Sequence, residues 1–183
     1  MDRLIKRLRE RAGDAQLATD SVDVIPPVVA PPVSAMGLEE AERRLGFALP
    51  TLLRRIFREV GNGGFGPAYG LLGLPGGAAN EDGKDCVALY ELFTAKDPDD
   101  PHWRWPNKLV PLGHLGCGMF ACVDCSDERG AVVWFEPNPH ADGEPWDDCF
   151  LPLVESVQGW LEAWLGHKEG DLYEQAWKSK FTE

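Results

Sequence analysis

Four residues of one segment, His114, Cys117, Cys122 and Cys125, carry the imidazole and thiolate groups that a zinc ion favours. Their spacing argues against such a site. A firm structural centre shows two tight cysteine pairs, or a cysteine pair followed by a histidine pair. Only Cys122 and Cys125 are close, at the end of a stretch that alternates like a strand. Alternation sends the two thiols to opposite faces while the strand lasts, although a bulge or turn at Cys125 would reunite them. Cys149 and Cys86 are conceivable extra ligands. The favoured reading is buried cysteine acting as a small hydrophobe, with no metal and no cofactor. A redox role for Cys122-Val-Asp-Cys125 would want a helix N-terminus, whose dipole lowers a thiol pKa; a polar turn follows instead.

Hydrolytic chemistry finds less support. The run GLLGLPGG at 70–77 is rich in glycine, but no Lys-Ser or Lys-Thr follows to hold a phosphate. There is no nucleophile-elbow serine and no His-Glu-x-x-His. His140, Asp142, Glu144, Asp147 and Asp148 share one loop and could bind a cation. Their spacing does not match a calcium loop, so a solvated acidic turn is the default. No catalytic residue is assigned, and the chain reads as a non-enzyme.

The better candidates are residues suited to recognising another protein. The loop from Asp97 to Trp105 sets Asp97, Asp99 and Asp100 beside two tryptophans. Carboxylates can pair with a partner's Lys or Arg, and tryptophan is a favoured interface anchor. Trp105 precedes a proline and a strand and is assigned to the core, while Trp103 stands between core and anchor. With the second acidic loop, the partner-binding candidates are Asp97, Asp99, Asp100, Trp103, Asp142, Glu144, Asp147 and Asp148.

Charge points the same way. A formal net charge of −12 opposes binding to nucleic acid, which needs Lys and Arg against phosphates, and opposes docking on anionic lipid. It suits solubility and the steering of a basic partner. No apolar run approaches the roughly 20 residues that span a bilayer, and no apolar signal-peptide core follows the basic N-terminus. A cytoplasmic protein with reduced thiols is expected, since five cysteines is an odd number.

The elements that must hold these residues can be read in order. Leu4, Ile5, Leu8 and Ala12 predict an amphipathic helix over residues 1–12, basic on its other face and packed back on the acidic body. Prolines 26, 27, 31 and 32 exclude helix from the linker Ser21–Ala35. Leu38, Ala41 and Leu45 predict a second helix, with Gly46 at its left-handed C-terminal position. Pro50 suits the first turn of a third, whose stripe is Leu52, Leu53, Ile56, Phe57 and Val60. A glycine-rich turn then leads into a short strand, AYGLLGL. Residues 85–95 predict a helix capped by Asp85, and LVPLG, GMFACVDCS, GAVVWFEPN and FLPLV predict strands. Ser156 caps a helix bearing Trp160 and Trp164, and a last turn or two runs from Asp171 to Trp177. The order is α+β: a twisted, mainly antiparallel sheet packed with helices, an N-terminal helical pair and a C-terminal helix. Two parts are expected, a basic helix with proline-rich linker at 1–35 and an α+β domain at 36–183.

The run LEEAERRLGFALPTLLRRIFREVGNGGFGPAYGLLGL resembles the SUKH superfamily. The likeness lies in an acidic helix ending at Leu45–Gly46, the Leu49–Pro50 start of the next, and a turn of Gly61, Asn62, Gly63 and Gly64 before a strand. Asp124 resembles the family's strand aspartate, and the likeness covers about residues 37–165. The superfamily includes a fungal cell-wall-synthesis regulator and bacterial immunity proteins against polymorphic toxins. The resemblance implies a mixed fold and a binding module that blocks a toxin, often a nuclease, without catalysis. The alternative it leaves is an intracellular regulatory or scaffold domain with no toxin partner. A zinc- or thiol-dependent protein using Cys117, Cys122 and Cys125 is the remote third. The signature residues themselves read as structural, and the expected partner is a toxin domain with a basic surface.

Overall fold

The computed structural model describes residues 1–20 and 28–181, so the linker reading falls partly outside the described residues. Helices α1 (Asp2–Ala12), α2 (Ala35–Leu45), α3 (Thr51–Glu59) and α4 (Cys86–Thr94) come first. Strands β1 (Leu109–Gly116), β2 (Met119–Asp124) and β3 (Val132–Phe135) follow. A 3-10 turn at Trp146–Cys149 leads into β4 (Phe150–Val154), and helices α5 (Val157–Leu165) and α6 (Glu169–Phe181) close the chain. The four strands form one antiparallel sheet in the order β1-β2-β3-β4, so the fold is α+β. Among the described residues no helix is long and apolar enough to cross a membrane.

Local chemistry explains most boundaries. Ser34 accepts the Gly37 amide at the start of α2, Asp85 accepts the Val87 and Ala88 amides at α4, and Ser156 accepts the Gly159 amide at α5. Gly46 ends α2 in the left-handed conformation. Pro50 stands at the N-cap of α3, one residue ahead of the helix, and has no side-chain hydroxyl or carboxylate to cap with. Glu128 supplies the missing acceptor, taking the Thr51 amide at 2.8 Å.

The amphipathic spacing of α1 serves packing. Leu4, Ile5, Leu8 and Ala12 are buried, and α1 lies against α3 and α5. Two of its arginines are tied to the body as well. Arg9 pairs with Glu59, and Arg11 stacks on Trp164, donates to the Trp164 and Leu17 carbonyls and pairs with Asp20.

Two expectations need correction. AYGLLGL forms no strand, contributing only a bridge from Leu71 to Gly113. A turn closed by the Gly70 amide on the Pro67 carbonyl, with Ala68 at φ 50° and Gly70 at φ 99°, breaks the extended run, so the segment only touches β1, its Tyr69 and Leu72 amides donating to the His114 and Leu112 carbonyls. The last helix is also longer than a turn or two, running 13 residues. Tyr173, Trp177 and Phe181 recur every four residues; Tyr173 and Trp177 pack on Trp134 of β3, and Phe181 packs on Trp177.

The sheet's alternation divides two aromatic groups. Trp134, opposite Ala121, faces α6, whereas the next cross-strand pair, Phe120 and Phe135, joins the rings beyond the end of α4. The second group builds the candidate site.

Candidate functional site

The last turn of α4 presents Phe93, and the loop after it folds Trp103 and Trp105 over the ends of β2 and β3. Phe93 lies 4.6 Å from Trp105, and Trp105 lies 5.0 Å from Phe135, centroid to centroid. Trp105 is buried, and its indole donates to the Leu109 carbonyl at 2.6 Å. Trp103 is half-buried and donates to the Phe93 carbonyl at 2.7 Å. Both indoles thus spend their polar atom on the backbone, which fixes the loop while leaving Trp103 partly open.

Trp146, from the 3-10 turn before β4, completes the group. Its ring stands at 84° to that of Trp103 with centroids 4.9 Å apart. Its indole donates to Asp100 Oδ2 at 2.6 Å, and His140 stacks on it at 3.7 Å. Asp100 Oδ1 accepts the His102 amide at 2.8 Å. These donors hold the Asp100 carboxyl below the usual carboxylate range, the indole first and the amide less so.

Leu92, Phe93, Trp103 and Trp146 floor a shallow groove with two lobes of about 450 and 430 Å³. One lobe is rimmed by Lys96, Asp97 and Pro98; the other by Glu81, Asp82, Lys84 and His114. Leu92, half exposed, is the most open apolar side chain of the floor. A depression of about 440 Å³ next to it gathers His140, Glu144, Asp147, Asp148, Lys180 and Phe181.

The sequence candidates therefore separate. Asp97 and Trp103 line the groove, and Asp100 braces Trp146 behind it. Glu144, Asp147 and Asp148 line the neighbouring depression, where Lys180 pairs with Asp148. Asp99 and Asp142 are exposed on their loops and line neither. The two acidic loops meet through Asp100 and Trp146. Sequence reasoning missed Trp146, Leu92, Phe93, Glu81 and Asp82. For Trp146 a signal was available: like Trp103, it stands in a run of proline and acidic residues, EPWDD beside PDDPHW.

The signature residues lie elsewhere. Leu45 and Leu49 are buried, and the Leu49 amide donates to Glu42. Asn62 is buried, donating to the Leu74 carbonyl at 3.2 Å and accepting the Leu74 amide at 2.8 Å. Gly63 and Gly64, both at φ 83°, lie flush against backbone: a Cβ would sit 2.6 Å from the Leu71 carbonyl oxygen at Gly63 and 2.2 Å from that of Val28 at Gly64. Gly61 packs against Val29 and Ala30 in the same way. Asp124 accepts the Ser126 amide and hydroxyl, closing the turn after β2.

The cysteine segment is spread out. His114 on β1 stands opposite Phe120, with Nε2 3.3 Å from Glu81, while Cys125 follows the far end of β2, about 15 Å away along the strand. Both Cys122 and Cys125 are buried, since β2 is covered on both of its faces. Cys117 is exposed in the β1–β2 turn. Burial raises the Cys86, Cys122 and Cys149 thiol pKa values and pushes Cys125 up to about 12. Among the described residues no group of three or more His, Cys, Asp or Glu side chains is placed to hold a metal ion.

Residues 32–163 match the model of the SMI1 / KNR4 family (SUKH-1), a span from just before α2 to the last turns of α5 that leaves α1 and α6 outside. No curated protein matches the chain.

Proposed function

Because the chain belongs to the SMI1 / KNR4 family (SUKH-1), we propose that it is a non-catalytic protein-binding domain, an immunity protein that neutralises a cognate polymorphic toxin by direct binding. The observation that carries this reading is the open aromatic groove beside two acidic loops that are joined through Asp100 and Trp146. Apolar floor and charged rim are the ordinary anatomy of an interface core and its border. A toxin that cuts nucleic acid must hold phosphates with Lys and Arg, and an acidic protein seated on that surface takes the place of its substrate. The reading assigns this encounter to the cytoplasm.

Co-purification from the native cell, followed by association kinetics with the recovered partner, tests this. Raising salt from about 0.05 M to about 0.5 M should slow association by roughly tenfold or more, since exposed charges are then screened within a few ångströms. An unchanged on-rate would remove electrostatic steering. Recovery of a partner with no toxic activity would favour a regulatory or scaffold role instead.

A further inference from the structure

We propose that the groove is built for an arginine side chain of the partner, its guanidinium laid on the Trp103 indole in the corner that Trp146 closes and paired with Asp97. This rests on the reading of the groove as the partner's seat. The choice of arginine over lysine follows from the mixed charge of the rim. Glu81, Asp82 and Asp97 are opposed there by Lys84 and Lys96, so the local field gives a point charge little advantage. A planar guanidinium gains in two further ways, by stacking on an aromatic face and by forking onto a carboxylate, and it sheds water more readily than an ammonium.

The protein contains such an arrangement already. The Arg11 guanidinium lies 3.9 Å over the Trp164 ring, with Nη2 2.9 Å from Asp20 and Nη1 2.6 Å from the Trp164 carbonyl oxygen. There the arginine comes from the chain itself and the set is closed. In the groove the tryptophans and a carboxylate are present, and the cation is left for the partner to bring.

The test uses the whole chain and three blocked nonapeptides identical except for three arginines, three lysines or three citrullines. Binding is read from the indole N–H signals of Trp103 and Trp146. The arginine peptide should bind about fivefold to tenfold more tightly than the lysine one, and citrulline should bind least. Asp97→Asn, on an exposed loop where folding is not at stake, should reduce the arginine preference about threefold or more. Equal binding of arginine and lysine peptides would overturn the inference, as would perturbation of the Trp160 and Trp164 indoles in place of Trp103 and Trp146. The two levels separate on the natural partner. If Leu92→Asp abolishes partner binding while replacing the partner's arginines by lysine leaves it intact, the groove stands and the arginine does not.

Discussion

The Trp146 indole donates to Asp100 across 2.6 Å and 46 positions of sequence, tying the loop after α4 to the loop before β4. Without that bond the two acidic loops would be independent surface features. With it, Trp103 and Trp146 form the corner on which the groove is built.

The pH dependence of this tie follows from its direction. The Asp100 carboxyl is held below its ordinary range, so the tie favours the folded loops above the free carboxyl's pKa and is lost as pH falls through the lowered one. Protection factors for the amides at 140–148, taken against the intrinsic exchange rate at each pH, should therefore be the same at pH 7 and pH 5 and fall only once the pH drops below the ordinary carboxylate range of about 4. Asp100→Ala should show the low protection at every pH.

Gly64 and Gly46 share a φ of 83° but not their surroundings, which separates backbone strain from crowding. A Cβ at Gly46 meets nothing within 4 Å, whereas one at Gly64 meets the Val28 carbonyl oxygen at 2.2 Å. Chemical denaturation should give a loss of about 1–2 kcal/mol for Gly46→Ala, the left-handed penalty alone. Gly64→Ala should lose at least about 3 kcal/mol, because backbone must move.

Cysteine chemistry offers a direct count. Cys117 is exposed, while Cys86, Cys122, Cys125 and Cys149 are buried with raised thiol pKa values. A thiol reagent at neutral pH should modify one cysteine in the native protein and all five in denaturant. Rapid native modification of Cys122 or Cys125 would contradict the burial on which the hydrophobic reading of that segment rests.

Arg11 should not tolerate lysine. Its guanidinium spans Trp164, Asp20 and the Leu17 carbonyl together, which a single ammonium cannot reproduce. Arg11→Lys should lower the unfolding free energy by about 1–2 kcal/mol, measured against Arg7→Lys on the exposed face of the same helix.

The helices and the meander were legible because each carries local instructions: Gly46 as the stop of α2, Asp85 and Ser156 as caps, and alternation in 119–124 and 132–135. The missing strand at 68–74 was not legible, since its apolar residues fit a strand and the turn over Pro67–Gly70, with Ala68 and Gly70 at positive φ, interrupts it. The acidic loops were legible as composition, whereas their meeting was not. Trp146 reaches Asp100 because β3 and β4 carry their connecting loop back over the end of α4, a consequence of topology that no local window contains. Leu92 and Phe93 lie inside the helix predicted over 85–95, where nothing local shows that Leu92 is left half exposed.

On the proposed function, the groove is where the partner sits. Leu92→Asp puts a charge on its floor at a half-exposed position, and Met36→Asp makes the same change at a more exposed apolar residue outside it. Partner recovery in co-purification from the native cell, compared for the two variants and the wild type, is the direct measurement. Recovery should fall at least about tenfold with Leu92→Asp, the cost of burying an unpaired carboxylate in an interface, and stay at the wild-type level with Met36→Asp. Equal recovery from all three proteins would contradict the account.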